Sequence, residues 1–193
     1  MLLAAPGRSW KELLFTYTDG IAQFTGGEPE PTVLRWADLA TISLNIVSGY
    51  EGDSLSSCVL RDRAGASVTV ETRYGEACDK VVRIADRLLA PRLARTLIAR
   101  YDAGEPVTFG RLSVDQAGIS SPGGGSDKPW SAAWRDTRTI EISFWAHRLT
   151  ITPRTRAPRN VKLDSAPNDL LARYVIAHAA ARAGVTGDVP ADG

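Results

Sequence analysis

Between His147 and Lys162 the chain reads HRLTITPRTRAPRNVK, carrying Arg148, Arg154, Arg156, Arg159 and Lys162 without one acidic residue. Arginine presents a planar fork of donors that fits phosphate or carboxylate bidentately, so such a run is a candidate site for an anion or an anionic lipid headgroup. It reads more readily as a solvated loop whose charge aids solubility. Short basic runs are common in an Arg-rich chain, and only four of the 23 basic residues here are Lys. The stretch from 76 to 101 is basic as well, through Lys80, Arg83, Arg87, Arg92, Arg95 and Arg100. Asp79 and Asp86 partly offset it, and arginines opposite an apolar stripe mark an ordinary surface helix.

Other chemistry is thinly represented. Two histidines, His147 and His178, stand far apart, and the second falls on the apolar side of a helical pattern, where a satisfied core or edge histidine is expected. Cys58 and Cys78 are too few for a disulfide framework and lack metal-ligand spacing. The sequence holds no Gly-x-Ser-x-Gly elbow, phosphate-binding loop, His-Glu-x-x-His or dinucleotide fingerprint. No enzyme, catalytic residue, cofactor or metal is therefore expected. Basic and acidic residues nearly cancel, 23 against 22, so no global charge draws the chain to nucleic acid. No apolar run reaches transmembrane length and no signal segment is legible at the start. The expected location is the cytoplasm, or the periphery of the inner membrane face if the basic run acts.

The elements that would position these residues come in two copies. WADLATISL (36–44) and WRDTRTIEI (134–142) share a Trp-x-Asp-x-x-Thr-Ile frame 98 positions apart. Sixteen residues before each Trp stands a glycine followed by isoleucine, at Gly20 and Gly118, and each glycine follows an alternating run that reads as a hairpin. After each frame come two further strand-like runs, 56–62 with 67–72 and 147–153 with 160–165, and then a helical pattern. The first helix runs over 76–101 and places Val81, Ile84, Ala85, Leu88 and Leu89 on one face, with a break or kink at Pro91. The second runs over 166–184 and places Leu170, Leu171, Tyr174, Val175 and His178 on one face. Ser165 or Asn168 is expected to cap its start and Gly184 to end it.

Strands followed by a helix, twice, predict an α+β, mainly β chain in which antiparallel sheets are capped by a C-terminal helix. Its expected parts are 1–102, 103–185 and a disordered tail over 186–193, with YDAGEP (101–106) as linker. Trp36 and Trp134 read as core anchors, because one residue kept in both copies suits packing better than a single ligand site. Asp38 and Asp136 read as turn formers that take backbone N–H groups on their carboxylates.

With LRWADLATI, AAWRDTRTI, the glycine hairpins and the closing APNDLLARYVI in view, the chain resembles bacterial pleckstrin-homology-like domains, and more narrowly tandem proteins of this kind from high-GC bacteria. The likeness covers most of 105–180 and extends more loosely over 12–100. Its positions are Gly118, Trp134, Pro167 and Asn168. It implies two PH-like domains, each a bent antiparallel sheet or partly open barrel closed by a helix, and carries over no agreed activity. The first copy has few residues before its hairpin, so a short opening strand is expected, or a natural start upstream of Met1. The function expected on these grounds is a non-enzymatic module that holds a protein or peptide. The rival is a peripheral membrane module acting through 148–162. A small-molecule or catalytic site between the copies ranks third. Oligomeric state is not legible.

Overall fold

The computed structural model of the chain describes residues 2–3, 12–26, 28–49, 52–71, 76–123, 128–143, 148–162 and 169–188. His147, Ser165, Pro167 and Asn168 lie outside them. The chain is mainly β, built from several small antiparallel sheets with a helix near its C-terminus. It divides into two compact units, Met1–Ala90 and Pro91–Gly193.

In the first unit one sheet has the order β1-β2-β3-β4, from Leu2–Leu3, Glu12–Thr16, Gly20–Thr25 and Thr32–Arg35. Leu14, Ile21 and Leu34 line its inner face and are almost wholly buried. A second sheet, β5-β6-β7, comprises Leu39–Gly49, Gly52–Asp62 and Ser67–Glu71. Ile42, Leu44, Cys58, Leu60, Val68 and Val70 form its buried face. The Gln23 amide joins the two sheets, donating to the Thr69 carbonyl (3.2 Å) and accepting from the Thr69 N–H (3.4 Å). Helix α1 (Glu76–Ile84) packs on β6 and β7, and its Cys78 thiol donates to the Val70 carbonyl (3.3 Å). Both cysteines are buried free thiols.

The expected break near Pro91 is present, but as a π-helical turn over Ala85–Leu89, closed by the Ala90 N–H on the Ala85 carbonyl. Proline has no N–H to give the turn before it, and a wider turn accommodates that loss. The change of winding rotates Leu88 out to solvent, 54% exposed, while Val81, Val82, Ala85 and Leu89 are buried. Leu88 is thus not on the inner face that α-helical spacing assigned to it.

Helix α2 (Ala90–Asp102) counts with the second unit from Pro91 onward. This differs from the expected division after residue 102, and the packing explains why. Tyr101 is buried, its carbonyl accepts from the Gln116 amide (2.6 Å), and Asp102 is bonded to the last helix. The supposed linker 101–106 is in fact a helix end. The Gly104 N–H returns to Tyr101 O and the Glu105 N–H to Arg100 O, with Gly104 at φ +87°.

The second unit then lays down β8 to β11, Val107–Phe109, Leu112–Val114, Gly118–Ser121 and Trp130–Ala133, as one sheet. A single 3₁₀ turn over Trp134–Asp136 leads into the second sheet, order β14-β13-β12-β15. Its strands are β12 (Thr137–Ser143), β13 (Arg148–Pro153), β14 (Arg159–Lys162) and β15 (Thr186–Asp188). Helix α3 (Asp169–Arg182) buries Leu170, Leu171, Val175, Ile176, Ala179 and Ala180, and leaves Tyr174 and His178 at the border. Gly184 ends it as expected, with the Val185 N–H on Ala180 O and the Gly184 N–H on Ala181 O. That turn directs residues 186–188, expected in the tail, alongside β12 in parallel pairing.

Candidate functional site

The repeated frame has the same hydrogen bonds in both units. The Trp36 N–H donates to Asp19 O (2.8 Å) and the Trp134 N–H to Ala117 O (3.0 Å). The indole Nε1–H groups reach back nineteen residues, from Trp36 to Tyr17 O (3.3 Å) and from Trp134 to Asp115 O (2.8 Å). Both rings are buried, which leaves neither face open for a ligand to stack on. The carbonyls of Asp38 and Asp136 accept from the Arg63 and Arg154 N–H groups (3.2 and 2.8 Å), pinning the end of the next hairpin. The aspartate contact is thus made by the backbone instead of the carboxylate, which at Asp136 lies 3.8 Å from Arg135.

Gly20 and Gly118 are not turn residues. Each opens a strand opposite the end of its neighbour, Gly20 facing Arg35 and Gly118 facing Ala133. A β-carbon there would stand 2.2 Å from the Leu34 carbonyl oxygen, or 2.1 Å from that of Ala132. Close backbone approach, not conformational freedom, selects glycine. Asp115 adds a feature that the sequence reading missed: its carboxylate accepts from the Ala117 and Gly118 N–H groups (2.8 and 2.9 Å). Its place three residues before the glycine that opens the next strand was the available signal.

The basic run does not converge on one point. Arg148 and Lys162 face each other across β13 and β14. Arg156 is exposed in the connection. Arg154 is committed to structure, its side chain donating to Arg135 O (3.2 Å) as its backbone does to Asp136 O. Arg159 stands opposite buried Ile151, a register held by buried Val68 opposite Leu60 in the first unit, and its guanidinium lies over the Trp130 ring at 5.5 Å.

His178 is a satisfied edge histidine. Its Nε2 lies 2.9 Å from the Asp102 carboxylate, which also accepts from Arg182 (2.8 Å). The His178 bond, helped by the charge of Arg182, holds the Asp102 carboxyl below the usual carboxylate range despite some desolvation. Tyr101 meets the His178 ring edge-on at 6.0 Å, and burial pushes its phenol up. Among the described residues no group of three or more His, Cys, Asp or Glu could hold a metal ion. No helix among them is long and apolar enough to cross a membrane.

The two units differ on the outer faces of their first sheets. Cross-strand partners share a face, so register sorts the side chains. In the second unit the outer row is Thr108, Ser113, Ser120 and Ser131, all hydroxyls. At the positions matching Ser113, Ser120 and Ser131, 98 residues earlier, the first unit has Phe15, buried Ala22 and Val33 in one row; Leu13 and Phe24 stand in the next. Phe15 and Phe24 meet edge-on at 5.4 Å. Val33 and Tyr17 are each 55% exposed and Phe24 38%. The inner positions keep their character, Leu14 with Leu112 and Ile21 with Ile119, all buried. A comparison with protein-family models and with curated proteins finds no match for the chain.

Proposed function

We propose that the chain is a non-enzymatic tandem module, each unit a PH-like arrangement of two small sheets and a helix, which holds a protein partner in the cytoplasm. The observation that carries this reading is the outer row Phe15, Ala22 and Val33 on β2–β4, apolar where the corresponding row Ser113, Ser120 and Ser131 on β9–β11 bears only hydroxyls. A solvated sheet face alternates to polar residues, and the second copy follows that rule. The first departs from it at three matched positions, Phe15, Ala22 and Val33, while Leu14 and Ile21 on its core face stay apolar. Contiguous exposed apolar surface of this kind marks an interaction site.

The discriminating experiment compares two variants of the whole chain. Val33→Ser with Phe24→Ser removes the apolar surface, and Arg154→Ala with Arg156→Ala and Arg159→Ala removes basic charge. Protein docking on the face predicts that the first variant loses association and apolar-dye uptake while keeping its circular dichroism, and that the second keeps both. The reverse pattern, with salt-sensitive co-sedimentation on anionic vesicles, supports the membrane reading instead. That second reading draws on Arg156 and Arg159, both exposed, at roughly 1 kcal/mol per basic residue near an anionic surface.

A further inference from the structure

We infer that the occupant of the apolar face on β2–β4 is a second copy of this chain, seated about a two-fold axis. The inference rests on the protein-docking reading above and names its partner. Charge at the two ends of the face is what selects that partner. At one end Arg35, exposed, stands opposite Gly20. At the other, beyond Thr25, the connection to β4 carries Glu28 and Glu30, both exposed, with the Glu28 N–H fixed on the Thr25 carbonyl (3.1 Å). Asp19, in the turn beside Gly20, tempers the positive end without matching the two glutamates at the other.

Strand rise separates these ends by roughly 15 Å. A two-fold axis near the Ala22–Val33 pair reverses the strand direction. It stacks Phe15 and Val33 on their own counterparts, sets each Phe24 over the other copy's Gly20, and brings each Arg35 beside the other copy's Glu28 and Glu30. Self-complementarity of this sort is what an isologous interface requires. An anionic membrane surface fits the face poorly, because one end of it carries excess acid.

Sedimentation velocity of the full chain, from micromolar to near-millimolar concentration, tests this. A dimer should build with concentration. Val33→Ser should raise its dissociation constant by about tenfold or more. Arg35→Glu should raise it by about threefold or more, and adding Glu28→Arg and Glu30→Arg to that variant should restore it. Val33 is exposed, so its change leaves the fold intact, which circular dichroism checks. A dimer indifferent to both Val33→Ser and Arg35→Glu overturns the inference by placing the contact elsewhere. A chain that stays monomeric overturns it too. If that monomer still takes up an apolar dye that Val33→Ser loses, the docking reading survives without the second copy; if it takes up none, both fall. Monomer captured by neutral phosphatidylcholine vesicles through Val33 replaces the second copy with lipid.

Discussion

Single atoms decide the positions that the repeat keeps. The β-carbon of an alanine at 118 would lie 2.1 Å from the Ala132 carbonyl oxygen, and backbone cannot move aside as a flexible side chain can. Gly118→Ala should therefore destabilise the second unit by about 1–3 kcal/mol, as overpacking does. Ser120→Ala, two residues along on the solvated face, should stay within about 0.5 kcal/mol of wild type. Urea unfolding of both variants checks this, and equal effects would contradict the steric account. The glycine was legible from its spacing to Trp134. Its reason was not, because a one-dimensional reading takes a glycine between two strand-like runs as the turn, whereas cross-strand register puts it against a neighbouring carbonyl.

Helices in the second unit are joined by a small polar cluster that spacing did not announce. Asp102 ends α2 and His178 and Arg182 lie on α3, so the partners are 76 and 80 residues apart in sequence. A carboxyl held low in the folded state contributes stability above its unfolded value, near pH 3.9, and that stability is lost as pH falls through the lowered folded value. The stability difference between the wild type and Asp102→Asn should thus be full at mildly acidic to neutral pH and close below about pH 4. Thermal unfolding of both proteins across that range is the measurement. A difference that persists unchanged at pH 2–3 would assign the role of Asp102 to geometry instead of charge. The π turn belongs to the same scale. The sequence located a break at Pro91, while the winding that turns Leu88 outward follows from how the Ala90 N–H was satisfied.

Across the whole molecule, the two units share core positions and register and differ on a surface. The 98-residue displacement holds in the register of three strands, β2–β4 against β9–β11, so equivalent residues can be exchanged in place. Ser113→Phe with Ser131→Val carries the apolar row into the second unit. It should confer apolar-dye uptake and added self-association there without lowering the melting temperature by more than a few degrees, since neither position faces the core. Calorimetry and dye titration read both quantities. A large loss of stability would show that the outer face of the second sheet is engaged in packing.

The sequence by itself determined the mainly β character, the Trp frame and its 98-residue return, the burial of both Trp rings and the end of the last helix at Gly184. These follow from local periodicity, residue volume and backbone preference, which act over a few neighbours. Tertiary structure alone decided that the basic run divides between a β-hairpin, a backbone staple at Arg154 and a ring contact at Arg159. It also decided that Asp102 meets His178, and that Phe24 and Val33 of β2–β4 are exposed on one face beside half-buried Leu13 and Phe15. Each of these depends on which strands pair and in what register. Register is fixed by the collective burial of the opposite face, a property that no short stretch of the chain carries alone.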